Sequence, residues 1–237
     1  MGFYWFLIVV SFALLIYYIY EKCKAYTAKA VIIKATVSAL FMMVGTYCAF
    51  MVPAMALHRG LAFFIVAGLL WGLLGDIWLD LKFVHRSDER IYTYAGFIVF
   101  FIGHIIYFVG ICKEFGAGHL VWCIVPILVG LVIGVVNVLI GPKMGMDYTG
   151  YKGITMLYGG ELIGITLSVI CLAAFGYYWE NPVLNIFAIG YVLFLISDLV
   201  LSQTYFKGNE SKWIIAANYA TYYAAMFIFA SIPLWIS

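Results

Sequence analysis

Six ionisable residues lie inside otherwise apolar segments of this sequence. They are Lys34, Asp76, Asp80, His104, Glu161 and Asp198. A charge inside a hydrocarbon layer is costly and usually marks a functional site. Carboxyl groups in unlike environments can work as general acid and base, and buried Asp, Glu, Lys and His can also form a proton relay. The residues therefore leave two kinds of chemistry open, hydrolysis and proton transfer.

The segments that carry these residues are long enough to cross a membrane. The chain is 66% hydrophobic and only 10% charged, whereas soluble domains are nearer a quarter charged. Apolar runs of about 20 residues predict eight transmembrane helices. We place them near residues 3–20, 31–51, 61–80, 92–112, 119–140, 153–175, 183–203 and 213–235. The predicted fold is all-α, a polytopic membrane protein whose eight helices form one bundle and one integral membrane domain over residues 1–237.

The charges between the spans predict how the chain is oriented. The odd-numbered loops hold ten basic residues, and the even-numbered loops hold two, Arg59 and Lys113. The ten are Lys22, Lys24, Lys29, Lys82, Arg86, Arg90, Lys143, Lys152, Lys207 and Lys212. By the positive-inside rule the odd loops are cytoplasmic and both termini lie on the other side. The net charge of +2, without a basic run, gives no reason to expect a nucleic-acid partner.

This orientation brings the intramembrane polar residues toward one side. All but the deeper His104 fall near the cytoplasmic ends of their spans, so we expect one polar cavity that opens to the cytoplasmic leaflet. Residues three or four apart share a helix face. This spacing joins Asp76 to Asp80, His104 to Tyr107, and Asn218 to Tyr222 beside Tyr219. The local likeness of LLGDIWLD in span three to FLISDLVLS in span seven leaves open a parallel four-plus-four duplication, with one Asp from each half.

Several of these residues also have a purely structural interpretation. Asp80 precedes Lys82 and could lie at the headgroups, and Lys34 could snorkel to the interface. Glu161 could pair with Lys34 or line the cavity without reacting. His104 and the tyrosines of span eight could be ordinary packing residues. Asp76 and Asp198 lie below the interface, where each would need to be paired or protonated.

The order of the motifs resembles the YhhN family of lysoplasmalogenases. The motifs are Lys34 in span two, Gly75-Asp76 in span three, Gly96-x3-Phe100-x3-His104-x2-Tyr107 in span four, Ser197-Asp198 in span seven and the tyrosines of span eight. The resemblance implies an eight-span enzyme that hydrolyses the vinyl ether bond of lysoplasmalogens. Its products would be a fatty aldehyde and a glycerophospho-ethanolamine or -choline. Glu161, and Met226 in a region where the family commonly has Gln, depart from the pattern.

Vinyl ether hydrolysis suits the residues that carry the resemblance. The reaction needs a proton donor, an anion near the developing oxocarbenium ion and a base for water. We therefore expect Asp76 and Asp198 to be the catalytic pair. Lys34, Asp80, His104, Tyr107, Glu161, Asn218, Tyr219 and Tyr222 are expected to support them or to bind the substrate. The expected partner is the lysophospholipid in its bilayer.

Other functions remain open. A single histidine deep in a span and five cysteines without metal-ligand spacing favour a site without metal or cofactor, although His104 with two aspartates could hold a metal in principle. A proton-coupled transporter would use similar buried groups, but it would need polar residues on both sides of the membrane. A lipid-binding protein without turnover would share the cavity and would not need both aspartates.

Overall fold

The protein is built from eight long helices in the computed structural model, which describes residues 2–24 and 27–236. The helices are α1 Gly2–Lys22, α2 Ala28–Phe50, α3 Arg59–Leu81, α4 Glu89–Phe115, α5 Leu120–Ile140, α6 Lys152–Cys171, α7 Pro182–Lys207 and α8 Lys212–Ser231. Over these described ranges all eight are long and apolar enough to span a bilayer. Each predicted span is confirmed, with its ends shifted by a few residues. The chain is an integral, multi-pass membrane protein.

Local sequence signals set where several helices begin and end. Thr27 Oγ1 accepts a hydrogen bond from the backbone N–H of Ala30 (3.3 Å) and caps the start of α2. Asn181 Oδ1 accepts one from the N–H of Leu184 (3.1 Å) at the start of α7, where Pro182 follows as the first helical residue. Gly208 ends α7 with a φ of 66°, a conformation that glycine adopts without strain.

The residues group into two compact units. The first unit comprises Met1–Ile106 and Phe229–Ser237, and the second comprises Tyr107–Ile228. The division falls inside α4 and inside α8, and it does not coincide with the boundary between spans four and five that a four-plus-four duplication requires. That duplication and the single domain over residues 1–237 stay predictions.

In the first unit, small residues bring α3 and α4 close together. A Cβ at Gly75 would lie 2.6 Å from the ring of Phe100, and one at Gly103 would lie 3.1 Å from Cβ of Trp71. Contacts under 3 Å do not occur for real Cβ atoms, so the Phe100 ring occupies the space that a side chain at Gly75 would need. The same helix α3 packs against α2, and it carries both Asp76 and Asp80.

In the second unit, glycines on facing helices set the position of α6. A Cβ at Gly134 of α5 would lie 2.7 Å from Cα of Gly160 on α6, and one at Gly164 would lie 2.8 Å from Cα of Ile127. Small residues spaced by four let helix backbones approach closely in a membrane. The run Gly159-Gly160-Glu161 therefore does not interrupt the sixth span, because Gly160 is part of the surface that packs on α5.

Candidate functional site

Four buried charged side chains from three helices form one cluster in the first unit. Asp80 on α3 pairs with Lys22 of α1 through Oδ2 (2.9 Å) and with Lys34 of α2 through Oδ1 (3.3 Å). Lys34 Nζ also lies 3.1 Å from Oδ1 of Asp76. We call these four residues the ion-pair cluster. Asp76 and Asp80 are one turn apart on α3, which lets one ammonium group reach both carboxylates.

Two hydroxyl groups complete the ion-pair cluster. Tyr18 donates a hydrogen bond to Oδ2 of Asp80 (3.1 Å), and Ser38 donates one to Oδ2 of Asp76 (2.6 Å). The four charged residues are at most 4% exposed. A buried charge is tolerated when an opposite charge and hydrogen bonds compensate for its lost hydration. Both carboxylates meet that condition.

The ion-pair cluster decides several of the alternatives left open by the sequence. Asp80 is not an exposed interfacial carboxylate, since it is 1% exposed and binds two lysines. Lys34 does not snorkel, because its ammonium group is enclosed by two carboxylates. It has no need of Glu161 as a partner, and neither carboxyl oxygen of Glu161 has a hydrogen-bond partner among the described residues. Lys22, predicted to be a loop charge, is 3% exposed.

Lys82 extends the positive charge beyond the end of α3. It is 5% exposed, and burial lowers its pKa to about 8. Burial is the largest cause of this lowered pKa; the charges of Lys22 and Lys34 act in the same direction, whereas those of Glu89 and Asp80 oppose it. Two of the ten basic residues counted for the orientation are thus buried. The other eight basic residues of the odd-numbered loops still outnumber the two of the even-numbered loops, so the charge bias predicts the same orientation.

A second cluster, in the other unit, contains two carboxyl groups and two phenols. Tyr158 on α6 donates a hydrogen bond of 2.5 Å to Oδ2 of Asp198 on α7. Glu161 lies one turn after Tyr158 and is 3% exposed. Its carboxyl group interacts electrostatically with that of Asp198, and its charge would oppose ionisation of the phenols of Tyr158 and Tyr191. We call Tyr158, Glu161, Tyr191 and Asp198 the carboxyl–phenol cluster.

The predicted polar face of α8 packs beside Asp198. Asn218 donates two hydrogen bonds to the preceding residue, Ser197, one to its carbonyl oxygen (2.9 Å) and one to its hydroxyl (3.1 Å). Tyr219 is 8% exposed, and the ring of Tyr222 lies 5.5 Å from that of Phe194 in an edge-on contact. These contacts hold α7 at Ser197, the residue before Asp198, and the supporting role of Asn218 stays a prediction.

His104 and Tyr107 of α4 are both buried, but they belong to different units. His104 is 2% exposed and lies in the first unit. Tyr107 is 3% exposed and lies in the second, where its ring is 6.5 Å from that of Phe187. Their predicted role, to orient a carboxylate or water, stays a prediction. Within the described ranges, no group of three or more His, Cys, Asp or Glu could hold a metal ion.

The sequence interpretation missed four residues that bind the predicted carboxyl groups. Lys22 was assigned to a loop, and Tyr18, Ser38 and Tyr158 were not singled out. Helical spacing carried a signal for the three residues with hydroxyl groups. Tyr18 precedes Lys22 by four residues and Ser38 follows Lys34 by four, while Tyr158 precedes Glu161 by three. A polar residue one turn from a buried ionisable one is the pattern that identifies such partners.

The two clusters are suited to different chemistry. In the ion-pair cluster, lysine ammonium groups favour carboxylates that stay negative. In the carboxyl–phenol cluster, Asp198 accepts a hydrogen bond from a phenol, and Glu161 interacts electrostatically with Asp198 and Tyr158. Carboxyl groups in such surroundings can hold a proton and release it.

Comparison with known proteins identifies one family. The model of the YhhN family matches residues 29–232, which is most of the chain. No protein of curated function matches the chain. No solved structure matches it either.

Proposed function

Because this chain belongs to the YhhN family, we propose that it hydrolyses the vinyl ether bond of lysoplasmalogens. The products are a fatty aldehyde and a glycerophospho-ethanolamine or -choline, as the family resemblance implies. One observation carries the proposal. Asp76 contacts a lysine and a serine, whereas Asp198 contacts a tyrosine. Two carboxyl groups with unlike partners are what acid–base chemistry at neutral pH requires.

Asp198 is the proton donor in this proposal. Its proton forms a C–H bond at the alkenyl carbon remote from oxygen, and the double-bond electrons leave an oxocarbenium ion. Water then adds to the cationic carbon, and the proton that water loses restores the acid. The hemiacetal collapses to the aldehyde and the free glycerol hydroxyl, so that one water is consumed for each bond cleaved. General acid catalysis of this kind contributes about 10²–10⁴ in rate.

Asp76 is the permanent anion in this proposal. The ammonium group of Lys34, 3.1 Å from Oδ1, favours the ionised form of the carboxylate. A fixed negative charge stabilises the oxocarbenium ion as its positive charge develops. Lys34 binds both Asp76 and Asp80, which supports its role in polarising an aspartate over a role in binding the substrate phosphate.

The substrate is an amphiphile that already resides in the bilayer. We propose that it reaches the enzyme sideways from the cytoplasmic leaflet, with its alkenyl chain remaining among apolar side chains. This access follows from the excess of basic residues in the odd-numbered loops, which predicts that both termini lie on the non-cytoplasmic side. A reporter fused after Ser237 that is active only outside the cytoplasm would support this orientation, and one active only in the cytoplasm would contradict it.

The test is aldehyde release by the purified, folded protein in detergent. Lysoplasmenylethanolamine is the substrate, and the matching alkyl-ether and ester lysolipids are controls. We expect aldehyde from the vinyl ether and no cleavage of the alkyl ether or the ester, because only the vinyl ether can be protonated on carbon. Folded protein that releases no aldehyde would contradict the proposal and favour lipid binding or proton-coupled transport.

A further inference from the structure

Glu161 is a buried acid for which the proposed reaction has no role so far. It is 3% exposed, and neither carboxyl oxygen has a hydrogen-bond partner in the part of the chain that the structure describes. The hydroxyl of Thr155, on the same helix, is also buried and has no partner among the described residues. Buried polar groups in native proteins nearly always have a partner, so two exceptions on one helix call for an explanation.

The two residues flank the hydrogen bond that holds the proposed proton donor. Tyr158 follows Thr155 by three residues and precedes Glu161 by three, and it donates the 2.5 Å hydrogen bond to Asp198. Residues three apart on a helix are neighbours, with Cβ atoms about 5–6 Å apart. The carboxyl group of Glu161 therefore begins one helical turn from the side chain that contacts Asp198.

The position of Glu161 around the axis of α6 directs it to the interior of the second unit. Successive residues of an α-helix are about 100° apart, which places Glu161 between Tyr158 and Gly164. Tyr158 faces α7, where it contacts Asp198, and Gly164 faces α5, where its backbone packs on Ile127. Glu161 thus points between two packed helices and not into the lipid, in agreement with its burial.

The proposed substrate carries a polar group that matches this position. A lysoplasmalogen has a free hydroxyl on the middle carbon of its glycerol. Four atoms separate that hydroxyl oxygen from the alkenyl carbon that receives the proton, a span comparable to one helical turn. A carboxyl oxygen can accept a hydrogen bond from a hydroxyl, whereas an ester at the same carbon has no hydrogen to donate.

We propose that Glu161 binds the substrate by accepting a hydrogen bond from the free hydroxyl of its glycerol. This inference rests on the proposed vinyl ether hydrolysis and deepens it, because it names the residue that selects lysolipids. The hydrogen bond fixes the glycerol while the alkenyl carbon lies at Asp198. A substrate without the hydroxyl leaves a buried acceptor unsatisfied, and sites of this kind discriminate strongly against such analogues.

The first experiment compares two substrates in wild type and in variants of Glu161. One is lysoplasmenylethanolamine, and the other is its deoxy analogue, with hydrogen in place of the glycerol hydroxyl. We expect wild type to favour the first by about 10- to 100-fold in kcat/KM, the effect of one unsatisfied buried acceptor. Glu161→Met should lose this preference by cleaving the lysolipid more slowly and the analogue no more slowly than wild type does.

Two further variants show whether the preference depends on the acceptor itself. Glu161→Gln keeps a carbonyl oxygen, so it should retain most of the preference. The matched control is Thr166→Val, a buried position on α6 whose hydroxyl bonds to the carbonyl of Leu162 (2.7 Å). This control should keep the whole preference. A residue that only supports the fold would lower turnover of both substrates by the same factor and leave their ratio unchanged.

The second experiment measures binding without turnover. The probes are the alkyl-ether lysolipid, which lacks the reactive double bond, and its deoxy analogue, each titrated into the purified protein in detergent. In wild type the hydroxyl should lower Kd by about tenfold or more. Glu161→Met should bind both probes alike.

The outcomes separate this inference from the proposed function. An unchanged preference for the hydroxyl in Glu161→Met, in turnover and in binding, would overturn the role of Glu161 even where aldehyde is released. A wild-type protein that releases no aldehyde, but whose preference in binding disappears in Glu161→Met, would support the hydroxyl site and refute the hydrolysis.

Discussion

The ion-pair cluster and the carboxyl–phenol cluster each contain two carboxyl groups, but they compensate for them differently. Asp76 and Asp80 have two lysines and two hydroxyl groups as partners. Glu161 and Asp198 have phenols near them, and of the two only Asp198 accepts a hydrogen bond within the described residues. The first arrangement stabilises fixed charges, whereas the second suits a proton that can move.

This difference predicts opposite responses to the same kind of substitution. Removing one partner from a buried ion pair leaves an uncompensated charge and is strongly destabilising. Neutralising a carboxyl group that already holds a proton removes little stability, because no buried charge loses its partner. Stability should therefore be sensitive in the ion-pair cluster, and activity in the carboxyl–phenol cluster.

The largest expected effect is that of Asp198→Asn on turnover. Asparagine keeps the shape of the side chain and can still accept the hydrogen bond of Tyr158, but it cannot donate a proton to carbon. We expect a loss of kcat of about 10⁴-fold, at the upper end for a general acid, with an unchanged melting temperature. Aldehyde release and thermal unfolding in detergent measure the two quantities.

Asp76→Asn is the matched variant in the ion-pair cluster. It should also lose nearly all turnover, but it should melt at a lower temperature because Lys34 loses one of the two carboxylates with which it pairs. Equal melting temperatures for the two variants would remove the distinction between the clusters. Retained turnover in either variant would remove that aspartate from the mechanism.

Lys34→Met tests the ion-pair cluster directly. Asp80 would keep Lys22 and Tyr18, whereas Asp76 would lose the contact with the lysine and keep the hydrogen bond from Ser38. Breaking a buried pair from one side costs about 3–5 kcal/mol, so we expect a comparable loss in the free energy of unfolding. Chemical or thermal unfolding of the purified protein measures it.

A second ion pair in the same unit provides the control for Lys34→Met. Lys29 lies 3.2 Å from Oε2 of Glu21, and its side chain is 57% exposed. Exposed pairs contribute little because water and salt screen their charges, so Lys29→Met should change stability little. If both variants lost the same free energy of unfolding, burial would not explain the stabilising effect of the Lys34 pairs.

The fold was predictable because hydrophobic length is a strong signal in membrane proteins. All eight predicted spans match helices, since each run of about 20 apolar residues can satisfy its backbone hydrogen bonds only as a helix. Even the glycine-rich sixth span follows this rule, because Gly160 fits against α5. The division into two units inside α4 was not predictable, because it depends on packing between residues distant in sequence.

The site was predictable in its carboxyl groups and less so in their partners. Asp76, Asp80, Glu161 and Asp198 stand out because acids are rare in apolar runs. Lys22 was missed because a lysine at the end of a span usually extends to the headgroups. Here its ammonium group is buried in an ion pair with Asp80. Tyr158 was missed because tyrosines are common in this chain, and only the fold brings this one to Asp198.

A smaller effect concerns Lys82, which lies beside the ion-pair cluster and outside the spans. Burial lowers its pKa from 10.5 to about 8 in the folded protein. Between these two values the unfolded chain binds the proton and the folded chain does not, so stability rises with pH. Relative to Lys82→Met, the wild type should gain about 2 kcal/mol between pH 8 and pH 10. Melting curves of both proteins recorded over this pH range measure the gain. The same pH dependence of stability in both proteins would contradict it.

The smallest effects come from removing a single hydroxyl donor from each cluster. Ser38→Ala leaves Asp76 with its lysine, and Tyr158→Phe takes from Asp198 the hydrogen bond that orients it. Each change should cost about 1–2 kcal/mol. For Ser38→Ala the cost is in the free energy of unfolding, and for Tyr158→Phe it is in the activation free energy. Ser38→Ala should lower the free energy of unfolding, whereas Tyr158→Phe should lower kcat by about tenfold, since 1.4 kcal/mol corresponds to that factor. If Tyr158→Phe affected only stability, the phenol would serve packing alone, and Asp198 would need no fixed orientation to deliver its proton.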